Sequence, residues 1–529
     1  MPSRRAQSPE GAPHQVDCLI IGAGFGGLGA AVGLLGRAER VVLCEAVRYP
    51  GGCASSFERG GQRYESGATL FSGLGAGQLF ERWRRELQLD VVFEALDPVI
   101  ELRGPGLVLP VWRSRERFID ALCALEPAHA ISLRRFFAEQ KRVADALWEL
   151  FDSPSLLPPL SGAALWRHSL QSPAYVRLLP LLGQPLEKLL QRHRLTDCHA
   201  LRVYLNAVCQ ITVQTDAASA EAPFALAAMD YCFRGTGHVV GGIGQLATAV
   251  CEALERRGVD VRFSCRVQSL RRSPHGGFEV QTRQGSYLAR CVIANLLPQD
   301  LAALLGRQTR QLDDLSAAVE TGWGAVMSYL RLEAAALPAR AFHLELVGDT
   351  TQEFTRGNHV FCSVSDAREH AAGAPRSATL STHVELSWLR SLDAGARARA
   401  IREIQGRLRQ TLELRAPELA SAVLGAMPAS PRTFERFTGR FAGYVGGVPR
   451  RAGLSNYRRL GPLCLEPGLY LVGDSVFPGQ SILAAALGGL RTAEAAVSSE
   501  LGGSDSRGIG KRPDSAQHAD PHVGPSARS

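Results

Sequence analysis

Apolar and polar positions alternate between two grammars along the chain. The unbroken run Cys18-Leu19-Ile20-Ile21 ends in Gly22-Ala23-Gly24-Phe25-Gly26-Gly27. An Ala/Leu-rich stretch and a second run, Val41-Val42-Leu43-Cys44, follow. Short continuous apolar runs read as buried strands, and the stretch between them suits a helix. The same grammar returns as a helix over Leu246–Arg257 stopped by Gly258 and a strand over Val259–Phe263. Strands over Phe278–Thr282 and Tyr287–Ala294 then flank Gln284-Gly285. It returns a third time as the strand Leu469–Val472 and an Ala-rich helix from Ile482 to about Val497.

The intervening stretches differ. Glu81-Arg82-Trp83-Arg84-Arg85-Glu86 opens an amphipathic helix, and Val108–Trp112 reads as a strand. Ser132–Phe151 has helical spacing, with Leu133, Phe136, Phe137, Val143, Leu147 and Leu150 on its apolar side. Residues 153–190 form a Pro-broken apolar segment with Leu160, Ala163-Ala164 and Trp166. Arg167, Arg177 and Lys188 punctuate it, and Arg192 and Arg194 follow. Short apolar helices with basic flanks suit either a membrane interface or the core of a helical cap, and both readings stand. Gly322–Leu332 and Phe342–Val347 are strand-like, and Ala396–Leu414 is a helix with a solvated Arg/Glu face.

The first glycine turn carries chemistry. Gly22, Gly24 and Gly27 have the G-x-G-x-x-G spacing, with Phe25 and Gly26 inside it. Gly22 permits the tight turn, Gly24 lets a pyrophosphate approach the backbone, and Gly27 lets the helix pack on the strands. Phosphates would sit at the helix N-terminus. Glu45, at the end of the second strand, can bind ribose hydroxyls and disfavours a 2′-phosphate. Gly51 and Gly52 expose further N–H groups beside this site. Far downstream, Gly473-Asp474 ends a strand. There an acid beside a helix start could meet ribityl hydroxyls, and the helix dipole could stabilise a reduced flavin. Two distant pieces holding both halves of a dinucleotide point to FAD rather than NAD. His238, in the loop before Gly241-Gly242, reads as a loop or flavin-edge contact.

Composition narrows the rest. At 529 residues, 45% apolar and 21% charged, the chain is globular, with room for two domains. The net charge of +8 fits an Arg-rich composition or attraction to an anionic membrane. No basic run interleaves with aromatics, so nucleic acid is not an expected partner. The twelve cysteines lack regular spacing; Cys18, Cys44 and Cys291 fall in apolar strands and read as reduced thiols of a cytoplasmic protein. His193 and Cys198-His199 match no zinc spacing, so no metal is expected. No triad or paired-carboxylate set is readable, and no catalytic residue is assigned.

The run GAGFGGL, then E-x-x-x-x-P-G-G-C-A-S-S-F, then E-S-G-A-T-L-F-S-G-L resembles the carotenoid desaturase and carotenoid isomerase family of FAD-dependent flavoproteins. Its form is most similar to the carotenoid 3,4-desaturase branch. Gly473-Asp474-Ser475 through Phe477-Pro478-Gly479-Gln480 resembles the same branch, so Gln480 and Ser481 join the candidate cofactor contacts. The resemblance implies that Val267 meets adenine through its backbone and that the cap covers the substrate. Where the family often has Arg or Ser after the paired glycines, this chain has Cys53, so that contact does not carry over.

The resulting expectation is an α/β fold: a Rossmann-type FAD-binding domain assembled from discontinuous segments, with an α+β substrate cap. Residues 1–15 and 501–529 read as disordered. FAD-binding segments are expected at 16–75, 235–300 and 465–500, and cap segments at 76–234 and 301–464. The expected activity is desaturation of a long isoprenoid, most readily a carotenoid. A hydride would leave for flavin N5, and quinone or oxygen would accept the electrons. The alternatives are cis–trans isomerisation on reduced FAD, amine oxidation, and a non-catalytic prenyl-binding escort. The protein is expected in the cytoplasm, peripheral on the inner face of the membrane.

Overall fold

Two sheets organise the chain. A computed structural model describes residues 13–501 apart from 68, 154, 155, 159–161 and 177, and the side chains of 163, 164, 167 and 171–174 are not described. The sequence readings at Leu160, Ala163-Ala164, Arg167, Arg177, most of 1–15 and nearly all of 501–529 therefore lie outside the described residues.

The first sheet has eight strands and grows from the glycine fingerprint. His14–Ile21 runs parallel to Val41–Cys44 on one side and to Gly285–Asn295 on the other. Val41–Cys44 is followed by Asp260–Arg262, again in parallel. Phe278–Thr282 and Val267–Arg272 extend the far edge, and Leu469–Val472 pairs with the end of Gly285–Asn295. Strands from 14–44, 260–295 and 463–472 thus share one sheet. His14–Ile21 starts two residues inside the stretch read as a lead, and Leu463–Glu466 straddles the expected boundary at 465. Both shifts follow from pairing, since a strand is as long as its partner's ladder.

Helix Phe25–Leu34 packs against helix Ile482–Ala496 through glycine. A Cβ on Gly29 would stand 2.2 Å from the Ala486 carbonyl oxygen, and one on Gly489 2.1 Å from that of Gly26. The two backbones touch without intervening side chains, which brings the two ends of the described chain together.

The second sheet has seven strands, in the order Val423–Ala429, Trp323–Leu332, Arg376–Glu385, His359–Val364, Phe342–Val347, Ile100–Gly104 and Leu107–Val111. Its strands alternate faces. Val326 and Leu330 meet Ile404, Leu408 and Leu412 of helix Ala394–Arg415, while Ala325, Met327 and Tyr329 face the opposite way, with Tyr64 and Phe434.

Helices from Arg115 to Met229 form a cap with its own core, in which Phe136, Phe137, Leu186 and Leu201 are buried. The segment read as core or interface carries both buried and outward-facing apolar side chains. Leu181, Leu186, Leu189 and Leu190 are buried, but Leu165, Trp166, Leu170, Val176 and Leu179 are 55–65% exposed. Burying one such side chain is worth about 1.5–3 kcal/mol, so this outward row is a costly surface in water. No helix among the described residues is long and apolar enough to cross a membrane. The basic helix read as opening at Glu81 instead ends at Glu86, having begun at Leu79 with Leu79, Phe80 and Trp83 buried.

Candidate functional site

One cavity of about 2070 Å³ runs between the first sheet, the second sheet and the cap. Its first wall is the strand–turn–helix. Gly24 ends the turn as the N-cap of Phe25–Leu34, and the first N–H groups of that helix have no side-chain cap. Gly22, Gly24, Phe25 and Gly26 line the cavity. Gly27 does not. A Cβ there would sit 2.0 Å from the Gly22 carbonyl oxygen, so it serves the turn's closure rather than a ligand.

Glu45 is 9% exposed and holds the turn from beside it: Ala23 N–H donates to Oε2 at 2.8 Å and Val47 N–H to Oε1 at 3.0 Å. Burial raises its pKa against those hydrogen bonds. Each carboxylate oxygen keeps a second lone pair for a hydroxyl. Gly51, Gly52 and Val267 line the same wall, and Gly51 N–H donates to the Ala23 carbonyl.

The far end of the first sheet supplies Gly473 and Asp474. Asp474 does not stand at a helix start, as its sequence suggested. Six residues separate it from Ser481, the N-cap of Ile482–Ala496, because Pro478 and Gly479 delay the helix. Ser481 Oγ accepts the Ala484 N–H at 3.1 Å, and its φ of 102° lies in the left-handed region, a strained conformation for a residue with a Cβ. Gln480 lines the cavity, but its side-chain amide donates to the Ile211 carbonyl at 2.8 Å, which ties this loop to the cap.

Three residues with no readable sequence signal complete this wall. Arg440 Nη2 donates to Asp474 Oδ2 at 2.8 Å, and its Nε donates to the Tyr444 carbonyl. Its charge also acts on the Cys53 thiol, which burial pushes up. A cation from a distant loop therefore stands beside the position where the family pattern would place an arginine. Asp300, pushed up to about 6 by burial, accepts the Phe441 N–H and also faces the cavity. Asn295 lies across the glycines: its Oδ1 would be 2.6 Å from a Cβ on Gly26 and 2.9 Å from one on Gly473. That close approach was invisible in sequence because the three positions are hundreds of residues apart.

His238 is not a flavin-edge contact. It is 1% exposed, does not line the cavity, and is paired with Glu369. Burial pushes its pKa down, but the Glu369 hydrogen bond and the charges of Glu65 and Glu369 outweigh that.

The opposite wall is greasy. Between residues 147 and 232, the described lining includes Leu156, Leu178, Val208, Phe224 and Ala228 and contains no Asp, Glu, Lys or Arg. Tyr329, Met327 and His383 project from the second sheet into the same space. The Tyr329 hydroxyl donates to the Ser66 carbonyl at 2.7 Å, and burial pushes His383 down to about 4, leaving a neutral ring.

A glycine-lined turn, a buried acid on its flank and a second polar cluster across the cavity suit a dinucleotide, and the match to known families agrees. Residues 25–497 match the model of the flavin-containing amine oxidoreductases. The chain belongs to that family. This flavin-containing oxidoreductase shares its fold with an oxidoreductase from Methanosarcina mazei, with a TM-score of 0.61, 15% identity, and coverage of 90% of this chain and 100% of that one. Wild-type putrescine oxidase bound to putrescine gives a TM-score of 0.56 at 15% identity, with 92% and 100% covered. In sequence it is 24% identical to the chloroplastic prolycopene isomerase of Arabidopsis thaliana over 93% of this chain and 84% of that protein. It is also 24% identical to a neurosporene-forming phytoene desaturase of Cereibacter sphaeroides, over 48% of this chain and 47% of that one. The family resemblance read from the motifs holds, and this oxidoreductase is FAD-dependent.

Arg440→Met in this oxidoreductase leaves the Asp474 carboxylate without its partner, so FAD affinity should fall about ten- to hundredfold. Arg440→Lys should recover part of the loss. Titrating apoprotein with FAD and following flavin fluorescence checks both, and unchanged affinity in the Met variant would remove Arg440 from the site.

Proposed function

We propose that this chain is an FAD-dependent oxidoreductase of a long isoprenoid, most readily a carotenoid, and that it desaturates a carbon–carbon bond. The observation that carries this reading is the cap side of the cavity, apolar and free of charged side chains among the described residues from 147 to 232. A hydrocarbon has no polar handle, so its binding must come from apolar burial. An amine cation would meet no carboxylate on that wall. FAD bound against the glycine wall would supply hydride acceptance.

In this reading Gly22, Gly24, Phe25 and Gly26 cradle the pyrophosphate, and Gly27 keeps the turn closed. Glu45 takes ribose hydroxyls, with Gly51, Gly52 and Val267 at the adenine half. Gly473, Asp474, Gln480 and Ser481 form the flavin half, with Arg440 ion-paired to Asp474. The cap excludes water and aligns the chain of the substrate. The exposed row Leu165, Trp166, Leu170, Val176 and Leu179 supports entry from a membrane surface, because Leu179 also lines the cavity and so marks its mouth.

Cis–trans isomerisation is the second reading. Its support is that the prolycopene isomerase alignment spans nearly the whole chain, whereas the desaturase alignment spans about half.

Holoprotein incubated with carotenes in anionic liposomes separates the readings. Loss of two mass units means desaturation, and a shifted elution time at constant mass means isomerisation. Turnover of amines with oxygen in place of either, or a protein that cannot be loaded with FAD, would overturn the proposal. In the same assay Trp166→Asp should leave more protein in the supernatant when the liposomes are pelleted.

A further inference from the structure

We propose that Glu126, His129 and Cys198 form a zinc site that staples the cap. One ligand atom from each lies within 4.8 Å of the other two, and none of the three residues lines the cavity. Glu126 and His129 flank the short turn between helices Arg115–Leu125 and Ala130–Asp152. Cys198 is the N-cap of helix His199–Thr212, which brings Val208 and Ile211 to the cavity wall.

Each donor is already oriented. His129 Nε2 lies 3.2 Å from Asp197 Oδ1, which places the ring proton on Nε2 and leaves a lone pair on Nδ1. Nδ1 is buried, has no hydrogen-bond partner, and is 3.4 Å from Glu126 Oε2. A ligand imidazole whose other nitrogen donates to a carboxylate is the usual outer arrangement of a zinc site. Glu126 Oε1 accepts the Ala200 N–H at 2.7 Å, so that oxygen is anchored and Oε2 is free to bind. Cys198 is fully buried, and its thiol points into the same cluster.

The donor set selects the ion. Thiolate, imidazole and carboxylate together suit Zn²⁺, and tetrahedral zinc spaces its ligand atoms about 3.3–3.9 Å apart. Side-chain shifts of about 1 Å close the present cluster around an ion of that size. Water completes the fourth position. Binding forms the Zn–S bond as the Cys198 S–H proton leaves to solvent; no electron is transferred.

The test uses the full-length, FAD-loaded protein, stripped with chelator and titrated with Co²⁺ and then Zn²⁺. The expected result is thiolate-to-cobalt charge-transfer absorption that saturates at one ion per chain and is displaced by zinc. Cys198→Ser should abolish that absorption, and His129→Ala and Glu126→Gln should weaken binding about tenfold or more at unchanged flavin content. The absence of saturable cobalt absorption in the parent protein overturns the site, as does a band that survives Cys198→Ser. If Cys198→Ser does not fold, His129→Ala decides: parent-like cobalt affinity there overturns it.

Discussion

Gly27→Val should purify as a colourless protein. The first atom of any side chain at this position would meet the Gly22 carbonyl oxygen at 2.0 Å and Ile20 Cγ2 at 3.3 Å. The nearer neighbour is backbone, so no rotamer change relieves it, and the turn itself must open. Overpacking of this kind costs about 1–3 kcal/mol where side chains can yield, and more where they cannot. An opened turn separates Gly24 and the helix N-terminus from Gly22 and Glu45, so FAD affinity should fall at least about hundredfold. Gly406→Ala is the control, since a Cβ there meets nothing within 4 Å. The ratio of flavin to protein absorbance reads both variants, with circular dichroism confirming the sheet. A yellow Gly27→Val protein with full flavin content would show that the turn tolerates opening.

Ala228→Trp should give the opposite phenotype: a yellow protein that turns over little substrate. Ala228 belongs to helix Ala222–Met229 and lines the cavity from the cap, on the wall opposite the glycines. An indole there fills space that a rigid polyene would occupy and shifts it from its reactive position. Displacement of about 1 Å can cost about a hundredfold in rate, and kcat/KM for a long substrate should fall by at least that much. FAD content should stay at the parent level. Equal loss of flavin and turnover would place Ala228 on the cofactor side and sink the two-walled reading of the cavity.

The nucleotide half was legible because its rules are local. A strand, three spaced glycines, a helix and an acid specify one another within thirty residues, and the structure keeps that unit intact from His14 to Glu45. The hairpin around Gly285 and the helix after Gly242 were legible for the same reason. Arg440, Asp300 and Asn295 were not, since each acquires its meaning from a partner brought alongside by tertiary folding. Asp474 is legible in the sequence, but its distance from the helix start is not, because Pro478 and Gly479 act on the loop after it. The segment over 153–190 resisted a single reading because it obeys two demands, burying one set of leucines in the cap and presenting another outward. The Glu126, His129 and Cys198 cluster escaped because zinc spacing rules assume neighbouring ligands, and this set is divided between two distant helix ends.

The glycine contact between helices Phe25–Leu34 and Ile482–Ala496 also governs when this protein can exist during synthesis. The helix made first presents Gly26 and Gly29 to a partner that leaves the ribosome only after several hundred further residues. At roughly 5–20 residues per second, translating the intervening chain takes on the order of tens of seconds. Throughout that interval the fingerprint turn lacks its covering helix, and Gly473 and Asp474 have not been made. On the proposed cofactor placement, FAD capture therefore waits until that second helix has been made, and a chain cut short before residue 482 lacks the helix that covers the turn at every stage of its life.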